Sequence, residues 1–124
     1  MSVKKNPCGS LERIFHEPNR LAIMSALIGT SEEGLSFNDL KKECELTDGN
    51  LSRHLKTLED FGAIQIEKSF FEKKPRTMVF ISEAGRHHFI EYLQALEEVL
   101  KKAAKLLPED RTSLTLPTWK TAKA

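Results

Sequence analysis

A chain of 124 residues with 40% apolar and 30% charged side chains has the makeup of one soluble globular domain, long enough for a single core. No run nears the roughly 20 apolar residues of a membrane span, and the two lysines near the start lack the apolar stretch of a signal peptide, so the cytoplasm is expected and a membrane is not. Cys8 and Cys44 are too few for a disulfide framework, and a net charge of +1 leaves any polyanion to be met by a local patch.

The elements follow in order. Ser10 is placed to cap a short helix, LERIFH, which the Glu17-Pro18 step interrupts because proline lacks an amide hydrogen. A second helix runs from Pro18, with Leu21, Met24, Ala26, Leu27 and Ile28 as its apolar stripe, to a stop at Gly29. TSEEGL reads as a turn. Ser36, three residues before Asp39, caps the helix FNDLKKECE, with Phe37, Leu40 and Cys44 facing inward. Thr47 caps the next helix, DGNLSRHLKTLEDF, which stops at Gly62. Its Leu51, Leu55 and Leu58 form one stripe, with Gly49, Arg53, Lys56 and Thr57 opposite, Asn50 on the flank and His54 at the stripe's edge.

After Gly62 the period falls to 2. AIQIEKSFF and TMVFIS read as two strands joined by a polar connector, EKKPRT, hence a β-hairpin with a basic tip. Ser82 then caps a long helix over about 83–107, and Pro108 ends it. The stretch 108–124, with two prolines and five threonines or serines, is expected to be a flexible tail to a single domain over 1–107.

Two features carry chemistry. The helices FNDLKKECE and DGNLSRHLKTLEDF are separated by about three residues, the connection of a helix-turn-helix whose second helix enters the major groove. On that helix Gly49 permits close approach. Asn50 and Arg53 can pair bidentately with adenine and guanine, while Thr47, Ser52 and Lys56 suit phosphates and base edges. The second feature is the hairpin tip, Lys73, Lys74 and Arg76 with Lys68 and Thr77 beside them, a basic probe for the phosphate wall or minor groove.

With these residues placed, the runs FHEPNRLAIMSAL, FNDL, LTDGNLSRHLKTLEDFGAIQIEK, KKPRT and SEAGR resemble winged-helix regulators of the MarR/ArsR type. The likeness covers about 11–107 and is greatest to a small archaeal and bacterial branch typified by LTDGNLSRHLKTLE. It implies an α+β, mainly α, winged helix-turn-helix domain with a two-stranded β-hairpin wing and a long C-terminal dimerisation helix. It also implies a homodimeric repressor on a pseudo-palindromic operator of double-stranded DNA. Asn50, Ser52, Arg53 and Lys56 would then lie on the recognition face, and Lys73, Lys74 and Arg76 on the wing. The chain departs from metal-sensing relatives in having a single Cys44 in KKECELT, so no metal and no cofactor is expected; a small-molecule effector is left open.

A dimer is also expected from the last helix. Phe89, Leu93, Leu96, Leu100, Ala103 and Leu107 recur at intervals of 4, 3, 4, 3 and 4, a seam over nearly three heptads. Tyr92, Val99 and Leu106 widen it beyond what one neighbour would bury, so one side is expected on the domain and the rest on a twofold mate, the plainer alternative being a wholly intramolecular helix.

Plainer readings stand beside these. The cations of the recognition helix could be an ordinary solvated face, and those of the hairpin could protect an edge strand. His54 reads as a packed boundary residue and Cys44 as a small buried apolar group. His87 and His88 point about 100° apart, poor geometry for a shared metal. With no nucleophile set or phosphate loop, the chain is not expected to be an enzyme. The competing function is a winged-helix protein-interaction module, favoured by the near-neutral charge.

Overall fold

The computed structural model describes residues 12–30 and 32–107. The cap expected at Ser10, Cys8 and the tail expected at 108–124 lie outside the described residues. Four helices and three strands follow in order: α1 (Pro18–Ile28), β1 (Leu35–Ser36), α2 (Phe37–Cys44), α3 (Asp48–Phe61), β2 (Ile64–Phe71), β3 (Lys74–Ile81) and α4 (Glu83–Leu106). This is the expected α+β, mainly helical, winged arrangement.

Each helix begins as its sequence dictates. Pro18 occupies the first turn of α1, where its missing amide hydrogen costs nothing, and the Glu17 carboxylate accepts from the Arg20 amide at 2.8 Å. Ser36, Thr47 and Ser82 accept from Asp39, Asn50 and Gly85 amides at the starts of α2, α3 and α4. The segment before α1 differs from expectation. It is one turn closed by Phe15 and His16 amides on the Glu12 carbonyl, followed by the break at Pro18. That turn seats Phe15 wholly inside the core, edge-on to Phe89 at 5.2 Å and to Tyr92 at 5.8 Å.

The core takes Ile23, Met24 and Leu27 from α1, Leu40 from α2, and Leu51, Leu55 and Leu58 from α3. Ala63, Ile64, Val79, Phe89 and Tyr92 close it from the sheet and α4. Ile23 is absent from the expected α1 stripe, whereas Leu21, Ala26 and Ile28 from that stripe are only partly buried.

The sheet has the antiparallel order β1-β3-β2, so a two-residue strand joins the expected hairpin. Leu35, read as part of a turn, pairs with Val79, and Ser36 with Met78. Gly34 leads into it at φ +69°, and a Cβ there would sit 2.6 Å from the Val79 carbonyl oxygen. Only glycine fits so close an approach. The hairpin is also longer than expected. Its register runs from Ile64 opposite Ile81 to Phe71 opposite Lys74, leaving Glu72 and Lys73 as a two-residue turn. Both have positive φ, 52° and 69°, the twist that suits a tight hairpin. The sequence hides this because neither residue is the usual Asn or Gly.

Helix α4 spans about 36 Å at 1.5 Å per residue, and among the described residues its first half packs on the domain. Gly85, Phe89 and Tyr92 are buried, and Leu93 and Leu96 lie half-buried against the core. Phe89 was expected in a seam between subunits; it is wholly buried inside this chain because its ring fills the space beside Phe15. Leu93, Leu96, Leu100, Ala103 and Leu107 are the residues of that row with surface left, and Leu106 next to them is 84% exposed.

Candidate nucleic-acid interface

Three residues turn the chain from α2 into α3. Glu45 adopts a left-handed conformation and caps α2 through its amide, Leu46 tucks against the core, and Thr47 caps α3. Lys41 on α2 reaches across this turn to Asp48 at 2.7 Å. The pair offsets the carboxylate that favours the helix N-terminus but would oppose an anion in front of it. Sequence reasoning missed Lys41, because spacing on one helix says nothing about a contact across a turn.

The leucine stripe turns α3 so that Gly49, Ser52, Arg53 and Lys56 are exposed and Asn50 and Thr57 half-exposed. Thr57 Oγ1 donates to the Arg53 carbonyl at 3.2 Å. The Arg53 guanidinium forms no ion pair among the described residues. Lys56 meets Asp60 one turn on at 3.2 Å, an exposed pair worth only a few tenths of a kcal/mol, so an arriving phosphate displaces it easily. A Cβ on Gly49 would meet nothing within 4 Å. The fold itself therefore has no need of a glycine there.

His54 lies on the opposite, buried face, 7% exposed. Its Nδ1 is 3.4 Å from Arg20 Nη1 and 3.9 Å from the Glu17 carboxylate, and its Nε2 is 3.5 Å from Asn19 Nδ2. Burial pushes its pKa below the ordinary value. Glu17 pulls it back, and Arg20 and Arg53 push it further down. Arginine can only donate, so the Arg20 contact needs a neutral ring accepting on Nδ1, and the Nε2–H then calls for the Asn19 amide oxygen in place of its nitrogen. His54 thus pins α3 to α1.

The wing carries the expected cations but divides them. Strand alternation with the observed register puts Lys68, Phe70, Pro75 and Thr77 on one face, and Ser69, Phe71, Lys74 and Arg76 on the other. The first face continues into a groove shared with α3, lined by Ser52, Lys56, Glu59, Lys68 and Thr77 over Phe37. On the second face the Arg76 guanidinium lies over the Phe71 ring, 4.7 Å from its centroid, a cation–π contact. Lys73 sits in the turn, exposed. Phe70 is 75% exposed beside these cations. It too was missed, because an apolar residue in a strand reads as core.

Away from this surface His87 meets Glu91 at 3.3 Å and His88 leans toward Phe61, with the two imidazole rings 6.3 Å apart and tilted by 52°. Cys44 is half-buried, and burial raises its thiol pKa, with Glu43 adding to the effect.

Residues 19–100 match the family model of the winged helix DNA-binding domain. An uncharacterized protein of Methanocaldococcus jannaschii is 36% identical over 89 residues, 72% of this chain and 95% of that protein. The structure of a transcriptional regulator homologue from Pyrococcus horikoshii superposes with a TM-score of 0.72 at 28% identity, covering 81% of this chain and 98% of that one. A Staphylococcus aureus MepR variant bound to an oligodeoxyribonucleotide gives 0.64 at 18% identity over 85% and 75% of the two chains, a likeness of fold.

Proposed function

Because the chain belongs to the winged helix DNA-binding domain family, we propose that it is a homodimeric transcriptional repressor that reads a pseudo-palindromic site in double-stranded DNA. The observation that carries this reading is the outer face of α3. Among the described residues it holds an arginine without an ion pair, a glycine whose Cβ would meet nothing within 4 Å, and a cap that leaves the first turn facing outward. Arg53 and Asn50 would pair with base edges. Thr47, Ser52 and Lys56 would take phosphates, as would Lys68, Lys73, Lys74, Arg76 and Thr77 on the wing.

The far half of α4 supports the twofold. Leu100, Ala103, Leu106 and Leu107 keep surface that this domain does not cover, and a second α4 presents the same row in return. Two recognition helices related by that axis would address half-sites one helical turn apart, about 34 Å. Occupying such a site excludes other proteins from it, which is repression in its simplest form.

Selection from a random duplex pool, followed by sedimentation of the selected complex, tests the reading. An inverted repeat with two protomers per duplex is expected. No enrichment at low salt would refute it in favour of a protein-binding module. Leu100→Glu combined with Ala103→Glu tests the twofold separately, since neither residue packs on the core. The variant is expected to be a folded monomer that has lost most specific affinity.

A further inference from the structure

We infer that Phe70 is an apolar wedge on the wing that enters the minor groove flanking each half-site and reads how readily the base steps there unstack. The inference rests on the DNA-binding reading above and adds to it a residue that neither phosphate contacts nor base-edge hydrogen bonds account for.

Three observations lead to it. Phe70 is the most exposed aromatic side chain among the described residues, at 75%. Its neighbour Phe71, 54% exposed, has the Arg76 guanidinium over its ring, whereas Phe70 lies opposite its exposed cross-strand partner Pro75. Second, the register places Phe70 on the same face as Lys68 and Thr77, which line the groove beside Ser52 and Lys56 of α3. The ring therefore continues the surface offered to the duplex. Third, the tip around it is built to approach a polyanion closely. Lys73 lies in the adjoining turn and Lys68 shares the ring's face, and the two-residue turn at Glu72 and Lys73 keeps the tip narrow. Pro75 fixes its backbone angle opposite the ring.

An exposed aromatic ring held by cations against nucleic acid finds apolar surface in one place, between or against the bases. The minor groove is about 6 Å wide and admits a thin tip. Phenylalanine is among the side chains that enter partly opened base steps there, and the opening is cheapest at pyrimidine–purine steps. Phe70 thus confers a preference for flexible flanks at positions where the protein makes no hydrogen bond to a base.

The test uses duplexes selected by the full chain from a random pool, with 2-aminopurine placed singly at successive flanking positions. The wild-type chain should raise fluorescence at one flanking step and bind duplexes with a TA step there about tenfold tighter than those with GC. Phe70→Ala should abolish the signal and the flank preference while unfolding at the same temperature, since the ring is exposed. Phe70→Lys, which adds a cation in the same place, should retain or steepen the salt dependence but lose both effects; Phe70→Leu should keep part of each. If Phe70→Ala retains the fluorescence change and the flank preference, the wedge is refuted and the ring serves something other than DNA. If the wild-type chain selects no duplex, the DNA-binding reading fails first, and this one with it.

Discussion

Helices α3 and α4 begin with nearly the same backbone and put it to opposite uses. Thr47 and Ser82 precede them at φ −80° with ψ 163° and 165°, and each side chain accepts from an amide in the first turn. Asp48 and Glu83 follow, acids that suit a helix N-terminus, and each first turn contains a glycine. At α4 the Ser82 hydroxyl donates to the Gly62 carbonyl at 2.7 Å and the Ser82 amide to Ala63 at 2.9 Å. A Cβ on Gly85 would collide with the Ala63 carbonyl. At α3 a Cβ on Gly49 would touch nothing within 4 Å, and Asp48 is tied down among the described residues by Lys41. One start is welded to the neighbouring turn; the other is left open. The same capping pattern therefore says where a helix begins and not what it faces, and the glycines separate the two cases.

The largest break in this comparison is expected from Gly85→Ala. The new methyl has backbone against it rather than a movable side chain, so the variant should lose about 3 kcal/mol of stability. Urea unfolding measures it; an unchanged midpoint would mean that α4 can shift away from Ala63 freely. Affinity should fall only through the unfolded fraction.

Arg53→Ala acts at the open start instead. Stability should stay the same, while specific affinity drops by about 1–3 kcal/mol and discrimination relaxes at one base pair per half-site. Titration against the selected duplex and its single-base variants reads both. Undiminished discrimination would move Arg53 to a phosphate or off the DNA.

Gly49→Ala sharpens the contrast most directly because its two effects have opposite signs. Alanine in an exposed helical position should stabilise the fold by about 0.5–1 kcal/mol. The same methyl should weaken duplex binding by about 1.4 kcal/mol, roughly tenfold, by holding the first turn away from the DNA. A variant that is more stable and binds equally well would show that this turn does not closely approach the duplex.

The smallest effect concerns the buried side of α3. His54 has a depressed pKa in the folded chain, chiefly through burial, with Arg20 and Arg53 adding to the effect and Glu17 opposing it. The unfolded chain, with an ordinary value near 6.5, takes up a proton first as pH falls. The unfolded state then holds more protons, so this contribution is complete above that pH and is lost as pH drops below it toward the depressed value. His54→Asn should flatten the difference in urea midpoint between about pH 5.5 and 7.5. A variant whose midpoint still tracks pH as in the wild type would assign the slope to other groups.

The places where expectation and structure part share a cause. The hairpin turn reads as too long in the sequence because Glu72 and Lys73 carry no turn signal, and β1 leaves no trace there because two residues have no period. Phe89 was assigned to a subunit seam by its spacing, yet the same row serves the chain's own core for its first turns and is left uncovered for the rest. The cations of KKPRT read as a single probe, and strand alternation sends Lys74 and Arg76 to the face away from α3.

What the sequence determined by itself is local in origin. The switch from a period of 3.6 to 2 and back, the hydroxyl caps at Ser36, Thr47 and Ser82, and the stops at Gly29 and Gly62 depend on residues within a few positions of one another. They are enough to write the order of elements and to tell the leucine face of α3 from its polar face. The tertiary structure decided everything that depends on residues far apart in the chain. It closed Phe15 over Phe89, tied His54 to Arg20, put a backbone carbonyl against Gly85 and nothing against Gly49, and left Phe70 in water beside the groove. Burial is a property of what comes to lie next to a residue, and no periodicity along one segment encodes its neighbour.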